Sequence, residues 1–288
     1  MSKLALGTVQ FGQDYGINNK GGQVAKDQVA AILDLARKNG IEVLDTAHNY
    51  GESEAVIGDY FKEKGSEGFK VVTKLPSASK ENARSILEES FTSLGVDSLY
   101  GCIFHNFPSY TEHPELLDLL KEYKDAGRVE KIGFSIYTPA ELEEIIEKDL
   151  PLDLVQFPFS VFDQRFAPML PVLKEREVEV HVRSVFLQGL VFKEASQLPK
   201  GLKTIAPKLA ALHEIAGQSG LTVAELCLNF ALANPLIDKV VVGVDSTQNL
   251  EDNIRASQKA EQVAALAGLE ALGETDEMII LPFNWPKP

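Results

Sequence analysis

Short apolar runs closed by a polar residue recur along the chain, and between them apolar residues fall at helical spacing. The first run, residues 3–9, predicts a strand ending in a Gly7-Thr8 turn. A polar, glycine-rich loop follows from Gln10 to Gly22. Its Asp14, Tyr15 and Asn18 are available to a ligand, although a solvated loop accounts for them as well. Val29, Ile32, Leu33 and Ala36 then share one helical face closed by Gly40. Ile41 to Leu44 reads as a buried strand, with a helix beginning near Val56 and Ile57. Strand 69–74 leads to a helix with Ala83, Ile86, Leu87 and Leu94 inward, closed by Gly95. Strand 99–105 leads to one carrying Leu116, Leu119, Leu120 and Tyr123, closed by Gly127. Strand 130–135 meets a capping box, Thr138-Pro139-Ala140-Glu141, and a helix with Leu142, Ile145 and Ile146. Strands near 152–157 and 178–184 follow, then a helical region over about 204–233 with a second capping box at Thr222 to Glu225. Strand 239–243 and a helix from Thr247 complete the alternation, and Pro282 to Pro288 reads as an extended tail.

Eight strands, each trailed by a helix, predict an α/β fold of the (β/α)₈ TIM-barrel type, of ordinary length at ~250 residues plus a tail. An open doubly wound sheet is the competing architecture, but no Gly-x-Gly-x-x-Gly follows the first strand. One domain is expected over 1–288, with 274–288 as its tail. No apolar run reaches ~18 residues, so no membrane-spanning segment is expected. Met1-Ser2-Lys3-Leu4 runs straight into strand-like sequence without the apolar core or small-residue cleavage site of a signal peptide. A net charge of −14, with no basic block, argues against nucleic acid as a partner. A polyanionic cofactor would therefore need a local positive pocket. Cys102 and Cys227 lie far apart in apolar surroundings, which predicts reduced, buried thiols in a cytoplasmic protein rather than a disulfide.

The carboxyl ends of all barrel strands meet at one rim, so residues distant in sequence converge there. The polar residues at successive tips are Asp45, Lys74, His105, Ser135, Gln156 and Arg183. Asp45 beside Lys74 makes a compensated ion pair. Lys74 close to Tyr50 favours phenolate and lowers the phenol from its ordinary value of ~10. A tyrosine so placed can donate a proton to a carbonyl oxygen, and His105 can orient that oxygen by a hydrogen bond. Ser135 and Gln156 offer donors and acceptors suited to a carboxamide. No His, Cys or acidic residues fall at metal-ligand spacing, and no serine sits in a nucleophile elbow. Taken singly, an Asp at a strand end is more often a helix cap, a Lys a solvated charge and a His a satisfied core residue. Together, on successive tips, they have one coherent use.

Asp45-Thr46-Ala47-x-x-Tyr50-Gly51, Lys74 closing Val71-Val72-Thr73, and His105 closing Cys102-Ile103-Phe104 resemble the catalytic tetrad of the aldo-keto reductases. Gly133-Phe134-Ser135 resembles the family's Gly-x-Ser-Asn segment and Val155-Gln156 its glutamine strand. Leu221 to Ala233, Val242-Gly243 and Asn249 to Asn253 resemble its C-terminal cofactor region. The resemblance implies a barrel that binds NADP(H), less often NAD(H), without metal, and reduces aldehydes or ketones. It implies Tyr50 as the acid, Lys74 and Asp45 as its tuning pair, and His105 as the group that positions the carbonyl. Ser135 and Gln156 would hold the nicotinamide carboxamide, with Gly7, Thr8, Arg183, Gly243, Asp245, Asn249 and Asn253 completing the cofactor set.

Three departures stand out. Ile136 stands where the family often has Asn. Arg183 occupies the place of the nicotinamide-stacking tyrosine, where a guanidinium can stack or meet the pyrophosphate or an acidic substrate. Gly243-Val244-Asp245-Ser246 lacks the basic residues that often clasp the adenosine 2′-phosphate, and Asp245 can accept from a free ribose hydroxyl, so NADH competes with NADPH. The start at strand one implies the absence of the family's bottom hairpin, as in a short bacterial branch associated with surface-polysaccharide synthesis. Phe11, Tyr15, Phe107, Tyr110, Phe159, Phe186 and Trp285 are candidate pocket walls. The polar first loop and Arg183 point to a hydroxylated or acidic small-molecule carbonyl, such as a sugar-derived compound. Two other readings are a barrel that keeps its cofactor as a regulatory or sensing subunit, and a two-carboxylate hydrolase. The latter needs a second acid at a strand tip.

Overall fold

The computed structural model describes residues 2–16, 19 and 21–285; Asn18 lies outside these. Among them, eight parallel strands close into a barrel in sequence order: β1 Leu4–Gly7, β2 Val43–Asp45, β3 Lys70–Leu75, β4 Leu99–Phe104, β5 Val129–Ser135, β6 Leu154–Pro158, β7 Glu179–Arg183 and β8 Lys239–Gly243. β8 pairs back onto β1 from Leu4↔Val240 to Gly7↔Gly243. The expected (β/α)₈ barrel is the fold. Each strand returns through at least one helix packed outside the sheet, as parallel pairing requires.

The period-two alternation of each strand sorts its side chains between two layers. Ile132, Phe134, Val155, Phe157, Val180, Val182, Val240 and Val242 pack outward, in the main core between strands and helices. Ala5, Val43, Val72, Ile103, Leu154 and Val241 form a separate, small apolar cluster inside the barrel. Polar side chains therefore occupy much of the rest of the interior. A third cluster, including Leu187, Leu190, Leu209, Leu212, Ile279 and Ile280, joins the β7 loop to the C-terminal helices.

Both capping boxes form, at Thr138–Glu141 and Thr222–Glu225. The helical region expected over 204–233 is two helices, Ala206–Ser219 and Val223–Leu232, separated at Gly220, which adopts φ 69°. The first strand is shorter than 3–9: Thr8 turns out of the sheet and Val9–Gly12 forms a helical turn. Of the segment read as an extended tail, 286–288 lie outside the described residues, and the part before them is helical over Pro282–Asn284. Glu277–Ile280 is a helical turn, Pro282–Asn284 a second one, and Trp285 Nε1 donates to the carbonyl of Ile279 at 3.0 Å. Burial of Ile279, Ile280 and Leu281 anchors this segment to the third cluster. Among the described residues, no single helix is long and apolar enough to cross a membrane.

At the amino-terminal end of the barrel, Glu179 accepts from Tyr100 Oη at 2.5 Å and from the Lys131 ammonium, and His181 Nε2 lies 2.6 Å from its other oxygen. Burial works against the Glu179 carboxylate, but His181, Lys131 and Tyr100 outweigh it and hold its pKa well below the usual carboxylate range. A depressed folded-state pKa contributes stability that is complete above the unfolded value, near ~4.3, and is lost as pH falls through the folded value. Glu179→Gln should therefore cost about 3 kcal/mol in urea unfolding at pH 7. The gap between wild type and variant should shrink steadily below about pH 4; a gap independent of pH would contradict the assignment.

Candidate active site

The segment after β2 carries the first half of the site. Tyr50 N donates to Ala47 O and Ser53 N to Tyr50 O, closing two consecutive turns that swing the phenol over the barrel mouth. Hydroxyls lock this segment to β1. Thr8 Oγ1 donates to Asp45 O at 3.0 Å, and Ser53 Oγ sits 2.9 and 2.8 Å from the carbonyl and hydroxyl oxygens of Thr8. Backbone meets backbone at Gly12, where an added Cβ would lie 1.7 Å from Tyr50 O and 2.4 Å from Ser53 N. Gly51, at φ 55°, completes the turn.

Lys74, on β3, reaches three oxygens: Asp45 Oδ2 at 2.7 Å, Thr46 O at 2.9 Å and Tyr50 Oη at 3.3 Å. The Lys74 and Asp45 side chains are only 2% and 5% exposed. Burial works against the ammonium, yet Asp45 and Tyr50 outweigh it, and Lys74 is held above its usual value. The sequence led us to expect a phenol lowered by this cation. The lowering is present, but burial of Tyr50 is the larger effect and raises the phenol overall. Tyr50 is thus a protonated donor beside a fixed positive charge. His105, just past β4, meets the Tyr50 ring edge-on with centroids 5.8 Å apart. Burial, with Lys74 nearby, pushes the imidazole down to about 4, and its Nδ1 is buried without a partner. The site therefore offers one proton donor, one neutral imidazole and one ammonium.

These groups line or underlie a cavity of about 620 Å³ whose walls include Asp45, Tyr50, His105, Arg183 and Asp245. Gly7, Thr8 and Gly243 also line it, leaving the tips of β1 and β8 nearly bare. A Cβ at Gly243 would sit 2.8 Å from Gln10 Oε1, which is itself buried and unpartnered. A bare floor edged by a free acceptor fits an extended, hydrogen-bonding ligand such as a nucleotide. Arg183 is the one arginine or lysine in the lining among the described residues. It donates to Ile136 O at 3.3 Å and stacks on Tyr137 with its guanidinium carbon 4.3 Å from the ring centre.

Ser135 and Gln156 are buried outside the lining; Gln156 Nε2 donates to Asp45 Oδ1 at 2.6 Å, and its Oε1 has no partner among the described residues. Asn249 and Asn253 lie on the helix Thr247–Ala256 and do not line the cavity either. Of the aromatic candidates, Tyr15 and Phe186 form walls; Phe11, Phe107, Tyr110 and Phe159 are buried packing, and Trp285 is not in the lining. Sequence reading missed Tyr137, Phe192 and Phe283. Phe283 packs edge-on against Tyr137 at 4.9 Å, and the apolar run Met278-Ile279-Ile280-Leu281 before it was the available sign of a docked segment.

The rim is bridged by Gln188 Nε2 donating to Tyr15 Oη at 3.1 Å. The β7 loop that supplies Gln188 holds three non-glycine residues in the left-handed region: Ser184 (φ 67°), Leu187 (φ 43°) and Gln188 (φ 49°). Cys102 and Cys227 are buried free thiols, and no group of three or more metal-ligating side chains comes together among the described residues.

The model of the Aldo/keto reductase family matches residues 3–271. The chain belongs to that family. Among similar proteins, this aldo-keto reductase is 25% identical to the uncharacterized oxidoreductase YqkF of Bacillus subtilis, over 89% of this chain and 87% of that one. It is 26% identical to the L-galactose dehydrogenase of Arabidopsis thaliana, over 98% and 94%. Among solved structures, the holo form of an aldo-keto reductase from Bacillus halodurans superposes with a TM-score of 0.75 at 21% identity, covering 93% of each chain. The family and the oxidoreductase relatives make this chain an oxidoreductase of a nicotinamide-using family.

Gly12→Ala tests the backbone contact under Tyr50. No rotamer relieves a clash with a carbonyl oxygen and an amide nitrogen, so the substitution should destabilise the fold by more than about 2 kcal/mol in urea unfolding. A variant of wild-type stability would show that the contact is slack.

Proposed function

We propose that this chain is an NAD(P)H-dependent carbonyl reductase with Tyr50 as general acid. One observation carries the reading: a buried ammonium that bonds a carboxylate on one side and a phenol on the other, at the floor of a nucleotide-sized cavity. A bound reduced nicotinamide would supply the hydride for the carbonyl carbon. Tyr50 Oη gives its proton to the carbonyl oxygen as negative charge grows there, and Lys74 stabilises the phenolate left behind. Neutral His105, held at its low value, donates to that oxygen without competing for the proton. Asp45 keeps Lys74 charged and aimed. Gly7, Thr8, Gln10, Gly243 and Arg183 would hold the cofactor along the β1–β8 side.

Asp245 lies in the lining beside Gly243, with no lysine or arginine in that wall among the described residues. A carboxylate there disfavours a 2′-phosphate and can accept from a free ribose hydroxyl. NADH therefore stands beside NADPH as cofactor. Gln10, Gln13, Gln188 and Arg183 in the lining support a hydroxylated or acidic small-molecule carbonyl as substrate. Buried, unpaired cysteines support a reducing, cytoplasmic setting.

Tyr50→Phe should nearly abolish turnover while nucleotide affinity by fluorescence titration stays within about threefold; retained turnover would reject the acid assignment. The reductase rate should fall on the alkaline side as Tyr50 loses its proton. Because Lys74 lowers the phenol, Lys74→Met should move that limb to higher pH. An unmoved limb would separate Lys74 from Tyr50. Parallel titration with NADH and NADPH decides the cofactor: Asp245→Asn should tighten NADPH relative to NADH, and an unchanged ratio would remove Asp245 from the selection.

A further inference from the structure

Val71 and Leu75 of β3 belong to the outer core and Val72 to the cluster inside the barrel, so Thr73 faces outward while Lys74 faces in. Outside the barrel wall, Thr73 Oγ1 donates to Glu54 Oε1 at 2.6 Å, and Ser90 Oγ donates to Glu54 Oε2 at 3.0 Å. Glu54 is buried, and no lysine or arginine pairs with it among the described residues. The basic side chain within reach is His48, whose Nδ1 lies 3.9 Å from Oε2. On β4, Cys102 is in register with Thr73, and burial together with Glu54 pushes its thiol up. A carboxylate so placed gives up water for two hydroxyls and a distant imidazole, where a neutral residue of the same volume would give up far less. Its use lies in what its two charge-assisted bonds join.

They join the two halves of the proton-donating pair. Glu54 stands in the first turn of the helix Ser53–Lys64, which starts directly from the Tyr50 turn through the bond from Ser53 N to Tyr50 O. Thr73 immediately precedes Lys74 on β3. Ser90 belongs to the neighbouring helix, Lys80–Leu94, and completes a frame of two helices and one strand around the carboxylate. The first helix has little freedom to slide within this frame. At Gly58 its backbone comes so close to the second helix that an added Cβ would sit 1.8 Å from Ser93 O. On the inner side of the wall, the contact of Lys74 with Tyr50 Oη, at 3.3 Å, is the longest of the three that the ammonium makes. A small displacement of the turn would break it first.

We propose that Glu54 is a positioning residue that bolts the start of this helix to β3 and thereby sets the distance between the Tyr50 hydroxyl and the Lys74 ammonium. The bolt acts through the backbone: Thr73 passes it to Lys74, and Ser53 passes it to Tyr50. Neither Glu54 nor Thr73 lines the cavity. The consequence for turnover rests on the carbonyl-reductase reading above; the bolt itself does not.

The test has two arms. In protein carrying ¹³Cζ-tyrosine, the signals of Tyr50 and Tyr60 are assigned by their loss in Tyr50→Phe and Tyr60→Phe. Thr73→Val, which keeps the shape and removes one bond, should move the Tyr50 signal. Thr73→Ser, which keeps the hydroxyl, should leave it close to the wild-type position. The Tyr60 signal, from farther along the same helix, should stay in place in both. A Tyr50 signal unmoved in Thr73→Val overturns the bolt whatever the activity; an equal movement of Tyr60 marks general loosening and overturns it as well. In the kinetic arm, Thr73→Val should lower kcat roughly tenfold with nucleotide affinity within about twofold, and should move the alkaline limb to higher pH. A hydroxyl that served packing alone would leave that limb where it is, so a valine variant with wild-type kcat and limb overturns the positioning role. If Thr73→Val does not fold, Glu54→Gln carries both arms. Its amide keeps the shape but makes weaker, uncharged bonds, so the same directions are expected with kcat lowered about threefold; an unmoved Tyr50 signal there overturns the bolt. A wild-type protein that reduces no carbonyl would refute the reading of the site and leave the labelling arm to decide the bolt.

Discussion

The arrangement at the barrel mouth hangs on one ammonium buried away from the surface. Lys74 is buried, and burying a charge is unfavourable unless it is paired and fully bonded. Here its bonds go to a carboxylate, a backbone carbonyl and a phenol. The same three bonds that keep the lysine charged define where Tyr50 stands and how its proton behaves. Removing the carboxylate leaves an uncompensated charge in the interior, so the arrangement is coupled in stability as well as in chemistry.

That coupling explains why the interior is built as it is. An apolar barrel core would leave Asp45 with one oxygen unsatisfied. Instead, Gln156 reaches across from β6 to bond it, and the apolar cluster inside is small, with six buried members among the described residues. The outer layer, between strands and helices, carries most of the hydrophobic burial. The fold thus divides its labour radially: packing outside the sheet, polar order along the axis.

How far the sequence could be read follows from the same division. The barrel was legible because each strand must be apolar outward and each helix amphipathic, and both leave periodic marks. Asp45, Tyr50, Lys74 and His105 were legible because polar residues at the ends of apolar runs stand out. Gln156 stood out as a polar residue in an apolar run; its bond to Asp45 depends on a contact across the barrel, which no local pattern encodes. The sign of the Tyr50 shift was misjudged for a similar reason, since burial is a property of the assembled site and a neighbouring charge can be read from spacing. His181 alternates with two valines as an inward residue should, but it stands mid-strand, where no polar tip draws notice. The C-terminal wall was missed because Pro282 and Pro288 suggested extension, while the apolar residues before them were what docked the segment.

The β7 loop carries a different kind of information. Three non-glycine residues held at positive φ cost of order 1–3 kcal/mol each. Two of them, Ser184 and Gln188, line the cavity, and Gln188 makes the bridge to Tyr15. Replacing them with glycine would relax the chain and rescue some thermal resistance, yet it would strip the rim of the side chains that meet a ligand. Selection for robustness and selection for recognition therefore pull this loop in opposite directions, and laboratory evolution for heat tolerance alone would be expected to erode it first.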